Sequence, residues 1–253
     1  MYQDVNVLLG HWPFRKIRKH TLEHLRQVHK ENGISGGYVS SINSIFYNDP
    51  FEGDEELHEI IRGTEYKHIL TVNPMLPGWQ RDIVTGIERF GIHGVRIYPT
   101  YHDYSLLSPE VSELCAALKT YQLPLFVTKR LEDERLEYIL KTKPLDVSEL
   151  RQFVSGQPDL DIVLLNIRFN EIMAMEKEIN SLPRLYFDTS GLKDRVFVVE
   201  DLLRKISAEK IVYGSQHPLY TLKSTFFVVD KAEIGEDVKR GIFGGHARFL
   251  QRG

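Results

Sequence analysis

The sequence predicts a single α/β domain, residues 1–253, folded as a (β/α)8 TIM barrel. Eight short apolar segments alternate with helical patterns, and most of them lack the polar alternation of half-exposed strands. A parallel sheet covered by helices has this pattern, and eight strands favour a closed barrel over an open sheet. No Gly-x-Gly-x-x-Gly follows a predicted strand, so a dinucleotide-binding sheet has no support.

The predicted strands are apolar runs that end at glycine, proline or a polar residue. The first begins at residue 4 and stops at Gly10, and a Gly-x-x-Pro turn follows it. Alternation along this strand would place Asp4, Asn6 and Leu8 on one face. The remaining strands are predicted at residues 37–42, 67–73, 94–98, 124–128, 161–165, 184–188 and 210–214.

The predicted helices have apolar residues three or four positions apart among charged ones. In the first, residues 17–32, the apolar residues share one face, and Gly33 ends the helix. Ser108 and Pro109 have the composition of a helix start, with a hydroxyl cap followed by proline in the first turn. Further helices are predicted at residues 54–62, 79–90, 108–121, 148–154, 170–182 and 200–206.

Composition excludes several classes of partner. The net charge of −3 offers no overall attraction to nucleic acid or to an anionic membrane. No apolar run approaches the roughly 20 residues that cross a bilayer, and no secretory signal pattern opens the chain. The single cysteine, Cys115, rules out an intramolecular disulfide and fits a reducing compartment. We therefore expect a cytoplasmic protein.

Four segments carry a resemblance to a known family. They are residues 3–10, residues 185–191 (Leu-Tyr-Phe-Asp-Thr-Ser-Gly), residues 212–219 (Val-Tyr-Gly-Ser-Gln-His-Pro-Leu) and the tail at 234–247. In this order they resemble strands and closing helices of the amidohydrolase superfamily, which includes small decarboxylases and lactone or amide hydrolases. The resemblance implies a TIM barrel that hydrolyses or decarboxylates a small carboxylated substrate.

The resemblance also implies a divalent metal, which the family binds through a His-x-His pair in the first strand. This sequence has Asn6 and Leu8 at the pair, Gln216 where the family has aspartate, and Asn166 where a strand usually ends with histidine. Amides bind such ions far more poorly than imidazole or carboxylate groups do. We therefore predict no catalytic metal and no other cofactor.

Basic residues gather at the ends of the predicted strands. A guanidinium group binds a carboxylate or phosphate through two parallel hydrogen bonds, so several of them near one barrel mouth favour an anionic ligand. Alternatively, these residues pair with loop acids such as Asp103 and Glu132, and the sequence leaves both possibilities open. The basic residues are Arg15, Arg96, Lys129, Arg130 and Arg168.

Candidate catalytic groups lie in loops that follow predicted strands. His102 with Asp103 or Tyr104, or else His217, is a candidate for proton transfer. Asp188 would orient a basic partner or cap the following turn. Trp12, Phe14, Phe46 and Tyr47 would form an apolar wall. The other predicted substrate-binding residues are Asn6, His11, Trp12, Tyr98, Asn166 and Gln216.

Two functions remain open from the sequence. The first is a metal-independent enzyme for a small organic acid, in which arginines hold the carboxylate and stabilise developing negative charge. The second is a non-catalytic barrel that acts as a small-acid sensor or as a protein-interaction module. The expected partner is a small organic acid, and a homodimer is possible.

Overall fold

The computed structural model describes residues 1–132, 142 and 144–251. Apolar runs form parallel strands in this part of the chain, and amphipathic segments form helices between them. The strands are β1 Tyr2–Leu9, β2 Ile34–Ser41, β3 Tyr66–His68, β4 Leu70–Thr71, β5 Val95–Ile97, β6 Leu125–Thr128, β7 Ile162–Leu165, β8 Leu185–Asp188 and β9 Ile211–Val212.

The strands close into an eight-stranded barrel. Strands β1 to β3 pair in order, and so do β4 to β9. The backbone N–H of Ile69, between β3 and β4, donates to Val39 O at 2.9 Å, so β3 and β4 act as one barrel strand beside β2. Leu8 N donates to His217 O at 2.8 Å, which joins β1 to the segment after β9. The predicted (β/α)8 barrel is therefore confirmed.

The helices lie between successive strands, and none in the described residues is long and apolar enough to cross a membrane. The first helix starts later than predicted, because Thr21 caps it by accepting a hydrogen bond from His24 N at 3.4 Å. The predicted helix 170–182 is interrupted at Met175. The helices are α1 Leu22–Glu31, α2 Asn43–Phe46, α3 Pro50–Ile61, α4 Trp79–Thr85, α5 Pro109–Tyr121, α6 Val147–Ser155, α7 Phe169–Ala174, α8 Glu176–Ser181, α9 Val198–Leu203, α10 Leu222–Asp230 and α11 Glu236–Arg240.

Apolar side chains also fill the inside of the barrel. Val5, Phe126 and Val163 contribute to a buried cluster within it, together with Phe249 from the C-terminal 3₁₀ segment. The ring of Phe249 stacks on Tyr186 with centroids 4.0 Å apart. The interior is thus a packed core rather than a pore, which leaves the carboxyl ends of the strands for polar groups.

A register shift in β1 changes which residues face the interior. Asp4 pairs with Gly37 and Val7 with Val39, so β1 advances three residues where β2 advances two. The prediction that Asp4 shares a face with Asn6 and Leu8 is therefore wrong. The Asp4 carboxylate lies 3.4 Å from His29 on α1, outside the barrel.

Candidate functional site at the barrel mouth

The three residues predicted at the strand ends, Asn6, Asn166 and Gln216, lie close together around one buried carboxylate, that of Asp188. Asn6 Nδ2 donates to Asp188 Oδ2 at 2.7 Å and to Gln216 Oε1 at 3.4 Å. The backbone N–H of Asn166 donates to the other oxygen, Asp188 Oδ1, at 2.8 Å. All four residues are at most 1% exposed. We call Asn6, Asn166, Asp188 and Gln216 the amide cluster.

The backbone is specialised where it delivers these amides. Asn166 and Gln216 have φ values of 55° and 54°, in the left-handed region that costs energy for residues other than glycine. Gly214, just before this turn, allows a close approach, because a Cβ there would lie 2.3 Å from Asp188 Oδ2. The surrounding barrel therefore holds the cluster in one arrangement.

Burial sets the electrostatics of the cluster. Loss of water raises the pKa of Asp188 to about 6, and hydrogen bonds from Asn6, the Asn166 backbone and Ser190 oppose the rise, as does the charge of Arg96. At neutral pH the carboxylate is mostly ionised, and both of its oxygens accept hydrogen bonds.

The residues present do not fit a catalytic metal. The Asn6 amide directs its N–H group at Asp188, and an N–H donor cannot ligate a cation. Its Oδ1 has no partner in the described residues, but a neutral amide oxygen binds a transition metal far more weakly than the imidazole or carboxylate it would replace. Gln216 Nε2 donates to Leu131 O, so this amide is also engaged. No group of three or more His, Cys, Asp or Glu side chains in the described residues is arranged to hold a metal ion. The absence of metal in the protein itself stays a prediction.

Arg96 and Tyr98 lie together in the barrel. Arg96 is 1% exposed, its Nε donates to Thr128 Oγ1 at 2.8 Å, and its guanidinium carbon lies 5.0 Å from the centroid of the Tyr98 ring. Burial lowers the pKa of Arg96, and the nearby Tyr98 and Asp188 oppose that change. Within the described residues, Arg96 Nη2 has no hydrogen-bond partner.

Other predicted anion-binding residues are paired with protein carboxylates. Arg130 makes two hydrogen bonds to Glu171, at 2.8 and 2.6 Å, and Lys129 Nζ lies 3.3 Å from the same carboxylate. Arg15 Nε lies 2.6 Å from Glu132 Oε1. Of the two possibilities that the sequence left open, pairing with protein carboxylates is the one that the fold shows for Arg15, Lys129 and Arg130.

Glu171 is a residue that the sequence reasoning missed. It sits in the first turn of α7, where its Oε2 also accepts the backbone N–H of Arg168 at 2.8 Å. An acid three residues after a helix start is a recognisable capping signal. Arg168, which is half-buried, is therefore the N-cap residue of α7. The Glu171 carboxylate that accepts its backbone N–H also binds Arg130.

The predicted proton-transfer set does not assemble as a hydrogen-bonded group. His102 Nε2 lies 3.1 Å from the carbonyl oxygen of Ile45, and burial lowers the pKa of this histidine. Asp103 is exposed, whereas Tyr104 packs against the core that lies between helices and strands. A catalytic role for these residues stays a prediction.

Apolar side chains fill the mouth above the amide cluster. Leu8, at the position where the family resemblance implied a metal ligand, is fully buried in a group with Trp12 and Tyr98. The Trp12 ring lies 5.3 Å from Phe14 and 5.5 Å from Phe46, as the predicted apolar wall requires. Two other residues that were predicted at the mouth are exposed to solvent instead. They are His11 and Tyr47, and the Tyr47 hydroxyl donates a hydrogen bond to Glu56.

His217 lies beside the mouth. It is 4% exposed, and burial lowers its pKa to about 4. Its side chain lines a cavity of about 450 Å³ between the loops that follow β1 and β9. His217 therefore contacts a separate space at the same end of the barrel.

A closed eight-stranded barrel of parallel strands, with helices between them and polar residues at the strand ends, defines a TIM-barrel protein. The chain belongs to the amidohydrolase family, because the Amidohydrolase family model matches residues 77–250, more than half of the sequence. The predicted family resemblance is thereby confirmed. No curated protein matches this chain.

Solved structures share the fold at low sequence identity. The chain is similar to 2,6-dihydroxybenzoate decarboxylase from Rhizobium (12% identity, TM-score 0.74, 99% of each chain). It is also similar to 5-carboxyvanillate decarboxylase from Sphingomonas paucimobilis (13%, 0.71, 99% of this chain and 98% of that one). A third is dihydroxybenzoic acid decarboxylase from Polaromonas sp. JS666 (12%, 0.75, 99% and 97%), whose structure holds manganese and the inhibitor 2-nitroresorcinol.

Proposed function

We propose that this protein binds a small carboxylic acid inside the barrel, without a catalytic metal, and that Arg96 recognises the carboxylate. The observation that carries the proposal is the state of Arg96. Within the described residues its guanidinium has no carboxylate within ion-pair distance, and its Nη2 has no hydrogen-bond partner. A buried cation is costly unless an anion accompanies it, and the Asp188 carboxylate, whose charge acts on Arg96, lies too far away to form an ion pair with it.

The chemistry of the mouth narrows the ligand class. A molecule that reaches Arg96 has to displace apolar side chains such as Trp12 and Leu8 from the space above the amide cluster. A ligand with an apolar body replaces the contacts that these side chains lose, whereas a wholly polar acid does not. We therefore favour an acid whose carboxylate is attached to an apolar or aromatic group. The structural neighbours named as decarboxylases of aromatic acids agree with this class.

Decarboxylation of the bound acid is the second candidate, and the raised pKa of Asp188 favours it over hydrolysis. In this reaction the bond between the carboxylate carbon and the organic group breaks and CO₂ leaves. The electron pair stays on the organic group, which takes a proton from the Asp188 carboxyl group in the minority of molecules that hold it protonated at neutral pH, and a proton from solvent then restores that form.

Calorimetric titration with substituted benzoates and keto acids tests binding. We expect the Arg96→Met variant to bind roughly 10- to 100-fold more weakly than wild type, because a buried charge-assisted hydrogen bond contributes about 1.5–3 kcal/mol. Arg151→Met is the matched control, since Arg151 is an exposed arginine paired with Glu178. Absence of acid binding, or equal binding by wild type and Arg96→Met, would refute the proposal.

Two further measurements separate the candidate functions. Elemental analysis of protein purified without chelator should find far less than one transition metal per chain. Release of CO₂ from a bound acid supports the enzyme, and binding without turnover supports the sensor. A protein-interaction module binds none of these acids. The homodimer and the cytoplasmic location stay predictions.

A further inference from the structure

The segment that follows β1 closes the barrel mouth with an aromatic side chain. Trp12 is 2% exposed and belongs to the buried cluster that also holds Leu8 and Tyr98. The Tyr98 ring in turn lies 5.0 Å from the guanidinium carbon of Arg96. Trp12 is therefore part of the apolar layer that separates Arg96 from solvent. We call residues 11–15 the mouth plug.

Side chains, rather than backbone hydrogen bonds, hold the mouth plug in place. The Trp12 ring makes edge contacts with Phe46 and Tyr101, with centroids 5.5 and 6.3 Å apart. Within the described residues, no backbone–backbone hydrogen bond joins residues 12–16 to the rest of the protein. Gly10, which precedes the plug, has a φ value of 125°, in the region that favours glycine. A segment with few backbone hydrogen bonds and a glycine at its base opens at a lower free energy than the strands beneath it.

One arginine fastens the plug across the mouth. Arg15 Nε lies 2.6 Å from Glu132 Oε1, and Arg15 Nη2 donates to Leu219 O at 2.9 Å. Glu132 follows β6 and Leu219 follows β9, so one guanidinium group joins the plug to two other loops. The Arg15 side chain is 40% exposed, so these contacts can break without opening the barrel core. We call the two contacts of Arg15 the latch.

Trp12 also carries a polar atom without a partner. Its indole Nε1 is buried and has no hydrogen-bond partner within the described residues. A buried N–H group without a partner is costly, and water would bond to it in an open conformation. The closed arrangement therefore carries a cost that opening relieves, and the latch and the ring contacts offset that cost.

We propose that the mouth plug is an autoinhibitory contact, in which Trp12 occupies the space that the organic group of an acid would take. An acid binds only to the fraction of molecules in which the latch has released, so the apparent dissociation constant rises by the inverse of that fraction. The plug thus regulates access to the acid site proposed at Arg96, on which this role rests. A change that weakens the latch should tighten acid binding, whereas loss of Arg96 weakens it.

Hydrogen exchange of the Trp12 indole N–H tests the plug without any ligand. The sequence has two tryptophans, so their two indole resonances are assigned by NMR with a Trp79→Phe variant. Where reclosing is faster than exchange, the exchange rate is proportional to the open fraction. Arg15→Met should raise the Trp12 rate roughly 5-fold, as expected for an ion pair with an exposed partner. Glu132→Gln, which keeps the bond from Arg15 to Leu219, should raise it by a smaller factor.

Two controls separate opening of the plug from a general loss of stability. Arg26→Met is the matched variant, because Arg26 is an exposed arginine paired with Glu65, and it should leave the Trp12 rate unchanged. The backbone N–H of Val163, which is fully buried in β7, should exchange at the wild-type rate in Arg15→Met. A merely structural role of Arg15 would speed exchange at both positions.

Calorimetry with substituted benzoates is the second test, and the direction of its effect separates the plug from the acid site. Arg15→Met should bind such an acid up to about 5-fold more tightly than wild type, whereas Arg96→Met should bind it more weakly. An unchanged Trp12 exchange rate in Arg15→Met, an equal rise at Val163, or weaker acid binding by Arg15→Met would overturn the proposal. Faster Trp12 exchange in an Arg15→Met protein that binds no acid would refute the acid site and the autoinhibitory role with it, but would confirm the latch.

Discussion

Replacement of Asn6 with aspartate tests whether the Asn6 amide holds the buried Asp188 carboxylate through its N–H group. Asparagine and aspartate side chains have nearly the same shape, so the change removes an N–H donor and adds a carboxylate with little effect on packing. Asn6 Nδ2 lies 2.7 Å from Asp188 Oδ2, and both residues are fully buried. Two carboxylates in such contact cannot both ionise, so one of them has to keep a proton.

The cost of keeping that proton depends on pH. An aspartate with an ordinary pKa near 3.9 is held protonated at a cost of about 1.4 kcal/mol for each pH unit above that value. This gives about 1.5 kcal/mol at pH 5 and up to about 5.5 kcal/mol at pH 8. The shared proton restores a hydrogen bond between residues 6 and 188, so this term dominates. Wild type itself loses about 1.4 kcal/mol between pH 5 and pH 8, because burial raises the pKa of Asp188 to about 6. Relative to wild type, Asn6→Asp should therefore destabilise the protein by up to about 2.5 kcal/mol more at pH 8 than at pH 5.

Urea unfolding followed by circular dichroism measures the difference. Wild type, Asn6→Asp and the control Asn48→Asp are compared at pH 5 and pH 8. Asn48 is exposed, so its replacement should change the free energy of unfolding by less than about 0.5 kcal/mol at either pH. An Asn6→Asp cost below about 1 kcal/mol at both pH values, or the same cost at both, would show that Asn6 does not hold the Asp188 carboxylate.

Three further predictions concern stability. Leu8→Ala should cost about 3–5 kcal/mol in urea unfolding because Leu8 is fully buried; a cost below about 1 kcal/mol would mean a loosely packed mouth. Glu171→Gln should cost about 3 kcal/mol because Arg130 loses its carboxylate, whereas an equal effect of Glu55→Gln, at an exposed acid paired with Arg89, would contradict this. His217→Gln should reduce the loss of stability on acidification. The folded state keeps His217 neutral down to about pH 4, so its contribution is complete above about pH 6.5 and falls by up to about 3 kcal/mol towards pH 4; identical pH profiles would refute this.

The sequence by itself determined the barrel and the strand ends. Strands buried on both faces leave continuous apolar runs, and eight of them in a chain of 253 residues admit few other folds. Because the carboxyl ends of parallel strands meet at one end of the barrel, the order of segments was enough to bring Asn6, Asn166 and Gln216 together. A local capping signal was also enough to predict the helix start at Ser108, whose hydroxyl accepts a hydrogen bond from Val111 N.

The tertiary structure decided side-chain direction and pairing. The register shift in β1 turned Asp4 out of the barrel, and no periodicity in the sequence announces such a shift. Arg130 and Arg96 both follow or lie in barrel strands, yet Arg130 meets Glu171 on α7 whereas Arg96 remains inside without an acid partner in the described residues. Strand alternation specifies a face, but a long cationic side chain reaches several neighbours from that face. Its partner is fixed only when helices and loops pack, because each buried charge takes the acid that the packing places within hydrogen-bond distance.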